Sequence, residues 1–250
     1  MQIELVAIAL LIGAMSGFFS MGGGVILVPI LLYFGFGIKE AIGFSIYQML
    51  ITSTFGTFLN NKYSKMNFRH IFPIALGAIL GGSLAGFITY VFPIYLLELI
   101  FLCSLIVSLY ATLKNARVSE VFYEIHSVSK SKLFLISALI SSVSVSTGIG
   151  GGLLLSAVLI NFLKVYPKES SSVALFFIIF ASLAAVLSNI YINRLISYDA
   201  IIFGFVALGG VFLGIKIKNT FSDKKYKLSY LFVYIPSLLY MSYELFFRSN

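Results

Sequence analysis

Two runs of three glycines hold the chemical interest of this chain. Gly22-Gly23-Gly24 and Gly150-Gly151-Gly152 lie 128 positions apart, each in the middle of a long apolar stretch. Three consecutive glycines make a poor helix interior, at roughly 1 kcal/mol each relative to alanine. Without a Cβ the backbone can turn sharply and let a ligand reach its amides. After each triplet an apolar run resumes, Val25-Ile26-Leu27 and Leu153-Leu154-Leu155, and both read as helix starts. A helix start presents unpaired N–H groups and about half a positive charge, which suits an anion. Successive glycine amides can also form an anion-binding nest. Small hydroxyls precede both triplets, Ser16 and Ser20 in one case, Ser144, Ser146 and Thr147 in the other. They could donate to oxyanion oxygens. Gln48 lies in the following apolar segment with Thr52, Ser53 and Thr54. Its amide can donate without adding charge, or it can bond a neighbouring helix. The bland alternative for the triplets is close helix packing, as small-xxx-small patterns allow.

The elements that must position these residues are membrane spans. The chain has 250 residues, 60% hydrophobic and only 10% charged, against about 25% charged in a soluble domain. Its net charge of +8 sits in short loops between apolar runs. That pattern reads as topology and contact with anionic lipid, and excludes nucleic acid as a partner. Apolar segments run roughly over 3–36, 41–59, 71–92, 94–113, 133–163, 170–189, 198–215 and 228–247. Six have about the 20 residues one crossing needs. The first and fifth are too long, and those two carry the triplets. In lipid, backbone groups freed by a helix break must be satisfied by protein, water or a ligand. Matched breaks in matched segments therefore point to a transporter with its site at the breaks. Gln2 and Glu4 are the only polar residues before the first apolar run, with no basic region, so no cleaved signal peptide is expected.

The chain repeats itself. At an offset of 128, the triplets coincide, Asn61 and Tyr63 fall on Asn189 and Tyr191, and Gly81, Gly82 and Gly86 fall on Gly209, Gly210 and Gly214; Lys39-Glu40 matches Lys168-Glu169 at 129. These glycines, with Gly77, have helical spacing and read as packing faces. The expected organisation is a first membrane repeat over 1–113, a basic linker over 114–132 and a second repeat over 133–250. If every segment crossed once, the cations would divide nine against eight between the two sides, which is no bias. If segments one and five enter and return at the glycines, fourteen cations fall on one side and only Lys39, Arg194 and Arg248 on the other. The positive-inside rule favours the second arrangement. Each half then has three crossings and one hairpin, so the halves are inverted and both termini lie outside. Two full spans at each break would give the same parity.

Other polar residues carry less. Glu98, a carboxylate within a span about a turn from its end, could couple transport to protons or simply sit near the interface. Glu244 is a weaker case of the same kind. Asn61 and Asn189 end their spans, where capping is the default, and Ser170, Ser171 and Ser172 open theirs. No span contains a central Lys or Arg by this division, so an anion would be held by dipoles and hydrogen bonds. The lone Cys103 excludes a disulfide framework. His70 and His126 fall in loops, and with no acid pair or metal-ligand cluster, neither an enzyme nor a cofactor is expected.

The motif Gly17-Phe18-Phe19-Ser20-Met21-Gly22-Gly23-Gly24 with Pro29 following, and its repeat Ser146-Thr147-Gly148-Ile149-Gly150-Gly151-Gly152, resemble the signature of the sulfite exporter TauE/SafE family. Pro29 has no counterpart, since Ala157 takes its place. The resemblance implies an all-α inner-membrane permease of bacteria or archaea, with sulfite and organosulfonates as typical substrates. The expectation is alternating-access export of a small sulfur anion, bound by Ser20, Gly22, Gly23, Gly24, Gln48, Ser146, Thr147, Gly150, Gly151 and Gly152. Import of such an anion, and a membrane-embedded enzyme or assembly factor, are the rival readings. The expected partners are the anion, the bilayer and at most a second copy in a homodimer.

Overall fold

The computed structural model describes residues 3–61, 67–114, 122–192, 198–222, 226 and 228–248. Residues 115–121 of the basic linker, and the cations Lys62, Lys65, Arg194, Lys224, Lys225 and Lys227, lie outside that set. Every long element among the described residues is a helix. In the first half these are α1 (Ile3–Phe19), α2 (Gly24–Tyr33), α3 (Ile38–Asn61), α4 (Phe68–Val91) and α5 (Ile94–Lys114); in the second, α6 (Lys130–Ser146), α7 (Gly152–Asn161), α8 (Pro167–Tyr191), α9 (Tyr198–Thr220) and α10 (Leu231–Tyr243), which runs on as a π turn over Glu244–Arg248. Five of them, α3, α4, α5, α8 and α9, are long and apolar enough to cross a membrane. Both overlong segments break at their glycines, into pieces of 17 and 10 residues. Ten residues rise about 15 Å, half of a hydrocarbon core of about 30 Å, so α2 and α7 are half-helices.

Local chemistry sets the ends. Phe92 precedes Pro93, is extended at φ −75° and ψ 140°, and ends α4 as a pre-proline residue should. Pro167 opens α8 at a position where its missing N–H costs nothing. The end of the linker is strapped to the loop before α8. Tyr123 donates its N–H to the Lys164 carbonyl at 2.7 Å, Ile125 donates its N–H to Glu169 Oε2 at 3.2 Å, and His70 Nε2 lies 3.2 Å from the Val128 carbonyl.

The halves interlock rather than sit side by side. The first helix of each packs against the fourth of the other, α1 on α9 and α6 on α4, while α3 and α8 cross at the centre. Small residues let the backbones close. A Cβ on Gly13 would sit 2.0 Å from the Ala207 carbonyl oxygen, one on Gly17 2.4 Å from that of Val211, one on Gly210 2.0 Å from that of Leu10 and one on Gly81 2.3 Å from that of Ala138. The direction of these pairs shows α1 running alongside α9 and α6 alongside α4. Leu10 and Ala138 are 128 apart while Gly81 and Gly210 are 129 apart, so the register of the repeat slips by one after the glycine breaks. Gly210→Leu is expected to lower stability by roughly 1–3 kcal/mol, the usual range for overpacking, read as a fall in the melting temperature of the purified protein.

Candidate functional site

The two breaks press against each other. Gly24, the first residue of α2, faces the second break so closely that a Cβ on it would sit 1.9 Å from the Gly148 carbonyl oxygen. Gly152, the first residue of α7, faces the Ser20 carbonyl oxygen, which its Cβ would approach to 2.6 Å. Ser45 Oγ bridges the seam by donating to the Gly148 carbonyl at 2.9 Å. Met49 and Ile178 close the sides, Met49 against Gly22 and Gly150, Ile178 against Gly22 and Gly152. Gln48 and Met49 are the eleventh and twelfth of 24 residues in α3, and Ile178 the twelfth of 25 in α8. The junction is therefore level with the middles of the two central helices.

Left-handed backbone makes the turns. Gly23 (φ 94°) and Gly151 (φ 71°) immediately precede α2 and α7, and Ser20 holds φ 56°, unusual for a residue with a side chain. In the second break, Ile149 and Gly150 donate their N–H groups back to the Ser144 carbonyl at 2.9 and 3.3 Å, closing the end of α6 in the manner of a Schellman turn. These amides are consumed by capping. The first N–H groups of α2 and α7 have no partner within their helices.

The side chains divide unequally. Ser16 Oγ, Ser20 Oγ and Gln48 Oε1 are buried and have no hydrogen-bond partner among the described residues. Gln48 Nε2 donates to Thr52 Oγ1 at 3.2 Å, and Thr52 Oγ1 in turn lies 3.3 Å from the Gly22 carbonyl, to which it can donate. A Cβ on Gly23 would touch the Gln48 amide at 3.1 Å, so that amide covers the triplet. On the other side Ser146 Oγ donates to the Val143 carbonyl at 2.8 Å, Thr147 Oγ1 to that of Ser144 at 3.0 Å, and Ser144 Oγ to that of Ile140. Short hydroxyl side chains on a helix commonly bond back one turn, and Ser146 and Thr147 do so here. Ser20, Gly22, Gly23, Gly24, Gln48, Gly150, Gly151 and Gly152 do come together. Glu98 is buried in the second turn of α5.

Sequence reasoning missed three participants. Ser45 and Met49 read as ordinary span residues, yet they seal the seam. Tyr230 caps the end of α1, its hydroxyl donating to the Phe19 carbonyl at 3.2 Å, with Tyr226 Oη 3.0 Å behind it. A separate cleft of about 290 Å³ lies between α2 and α10, lined by residues such as Met15, Ile26, Pro29 and Phe232. Its walls are almost entirely apolar, which sets it apart from the junction.

The family model for the sulfite exporter TauE/SafE matches residues 5–241. The chain belongs to the TauE/SafE family. It is also 30% identical over 95 residues to the probable membrane transporter protein YjnA of Bacillus subtilis (strain 168). That match covers 38% of the chain and 37% of the relative, so the chain spans little more than a third of that curated protein. No solved structure matches the chain. The family and the apolar helices make the protein a multi-pass membrane protein of a transporter family.

Proposed function

We propose that this TauE/SafE protein exports a small oxyanion, sulfite or a related sulfur oxyanion or organosulfonate, by alternating access between two inverted repeats. The observation that carries the reading is the glycine junction. Two half-helix starts meet level with the centre of the molecule, beside the unfilled hydroxyls of Ser16 and Ser20 and the Gln48 amide. Ser20, Gly22, Gly23, Gly24 and Gln48 form one half-site, Gly150, Gly151 and Gly152 the other. Ser146 and Thr147 join when a rotation of their hydroxyls turns the protons toward the seam. Amides and hydroxyls alone give an anion a seat weak enough to leave, as transport needs.

Direction and orientation follow from charge and packing. That Asn60 meets Ser172 while Gly56 faces Leu175 sets α3 antiparallel to α8, which supports an inverted pair in which α1–α2 and α6–α7 are hairpins. The basic loops around 67–70, 122–132 and 164–169 gather at one end, which is read as the inside of a bacterial or archaeal plasma membrane, with both termini outside. A negative interior then drives an anion outward by about 2.3 kcal/mol per charge per 100 mV. Glu98 remains a candidate for proton coupling, and a homodimer the expected assembly if one forms.

Flux of radiolabelled sulfite from proteoliposomes tests the reading. Efflux is expected to rise when valinomycin and a potassium gradient make the lumen negative, and to compete with thiosulfate and sulfoacetate but not with gluconate. Absence of flux for all three sulfur anions would overturn it.

A further inference from the structure

One buried charge plays no part in the junction. Lys218 lies in the last turn of α9 and is only 1% exposed, although its neighbour Lys216 is exposed. Its Nζ donates to Asn60 Oδ1 at 2.9 Å and to Ser171 Oγ at 3.1 Å. Asn60 Nδ2 donates to Ser172 Oγ at 2.6 Å. Among the described residues both hydrogen-bond partners of the ammonium are neutral, and the charged residue acting on it is a second cation, Lys168. A buried ammonium without a carboxylate is unfavourable unless something else supplies negative charge.

The donors around it exceed the acceptors. Lys218 has three N–H donors and two acceptors here; Asn60 Nδ2 has a second proton beyond the one given to Ser172. One turn earlier on α3, Thr57 Oγ1 is buried and has no partner among the described residues. A positive charge, a spare ammonium proton, a spare amide proton and a free hydroxyl are what an oxyanion would satisfy. The cluster also connects to the junction. Gln48, Thr52, Gly56 and Asn60 recur every fourth residue along α3, and all are buried. Residues four apart lie on one helix face. From Gln48 to Asn60 that stripe is about 18 Å long. Midway it narrows at Gly56, where a Cβ would touch Leu175 at 3.3 Å and Val211 at 3.6 Å.

We infer that Lys218, Asn60, Thr57 and Ser171 form a second oxyanion station at the basic end of the molecule, joined to the glycine junction by the polar stripe of α3. This rests on the transport reading for its purpose, though not for its chemistry. A soluble oxyanion is the ligand, because α3, α8 and α9 enclose the ammonium. Lys218 captures the anion on the basic side, and the narrow point at Gly56, faced by Leu175 and Val211, separates the station from the junction.

The test is thermal unfolding of the purified full chain in sodium sulfite or thiosulfate against sodium gluconate at equal ionic strength. Wild type is expected to gain several degrees with the sulfur anions. Lys218→Met is expected to lose more than half of that gain while unfolding no lower than wild type in gluconate, because a buried charge has been removed. Lys218→Met that keeps the full gain overturns the station. So does a variant that merely unfolds lower with its anion response intact, since the lysine is then only a tie between helix ends. If Lys218→Met does not fold, Thr57→Val and Asn60→Ala serve instead, each expected to halve the gain; an unchanged gain in both overturns the proposal. Nanodiscs containing phosphatidylglycerol without soluble anion should give no shift that depends on Lys218, and such a shift would assign the cluster to lipid. Gly151→Leu separates the two readings, since it should abolish flux while leaving the part of the shift that depends on Lys218 in place. A wild type without flux but with this shift sinks export alone, and a wild type without the shift sinks the station.

Discussion

Gly24→Ala is expected to abolish transport and to destabilise the protein by roughly 3 kcal/mol, the upper end of what overpacking usually costs. The added methyl would sit 1.9 Å from the Gly148 carbonyl oxygen and 2.7 Å from Ser45 Oγ. Neither has room to yield. The carbonyl belongs to the turn that ends α6, and Ser45 is already bonded to it. The two breaks must then part, which removes the seam where the helix starts converge. Gly43→Ala is the control, because nothing lies within 4 Å of a Cβ there. It should keep full flux and gain up to about 1 kcal/mol from better helix propensity. Melting curves and sulfite efflux on both variants check the pair. Equal flux from Gly24→Ala and wild type would remove the junction from the mechanism.

Gln48→Glu is expected to weaken anion binding strongly with little effect on folding. The shape is retained and the bond to Thr52 can be made by a carboxylate accepting from the hydroxyl. The change places negative charge beside the triplet that is to receive an anion. Two like charges about 4 Å apart repel by about 4 kcal/mol at an effective dielectric constant near 20, roughly a thousandfold in binding. A carboxyl at that depth favours its neutral form. The loss should therefore deepen as pH rises and the carboxyl ionises, and ease as pH falls and it takes a proton. Sulfite itself gains a proton on acidification, so a permanently charged sulfonate is the better substrate for this pH series. A pH-independent effect equal to that of Gln48→Leu would place Gln48 outside the anion's reach.

The breaks were legible because glycine is strong punctuation. Runs of three are hard to read as anything but interruptions, and α2 and α7 begin at the last glycine of each. Pro93 and the position before Pro167 likewise marked ends that the fold respects. The packing faces were legible too, since Gly81 and Gly210 do carry backbone carbonyls against them. What could not be read was which helix those faces meet, because a row of small residues names no partner. Two polar positions lie elsewhere than expected, for physical reasons. The span written as 198–215 continues to Thr220, so Lys218 is not a loop cation; charge alone suggested an end, and helix propensity carried the chain past it. Asn61 was singled out as the partner of Asn189, but the buried residue is Asn60. The offset of 129 at Lys39-Glu40 and Lys168-Glu169 already contained that register. The bonds that the Ser146 and Thr147 hydroxyls make to the preceding turn leave no mark in the sequence.

The exchange of first helices between halves has a consequence for biogenesis. α1 leaves the ribosome about 190 residues before α9, which at 5–20 residues per second is a wait of about 10–40 s. During that time the notched surface around Gly13 and Gly17 has no permanent neighbour and must shelter against lipid or a chaperone.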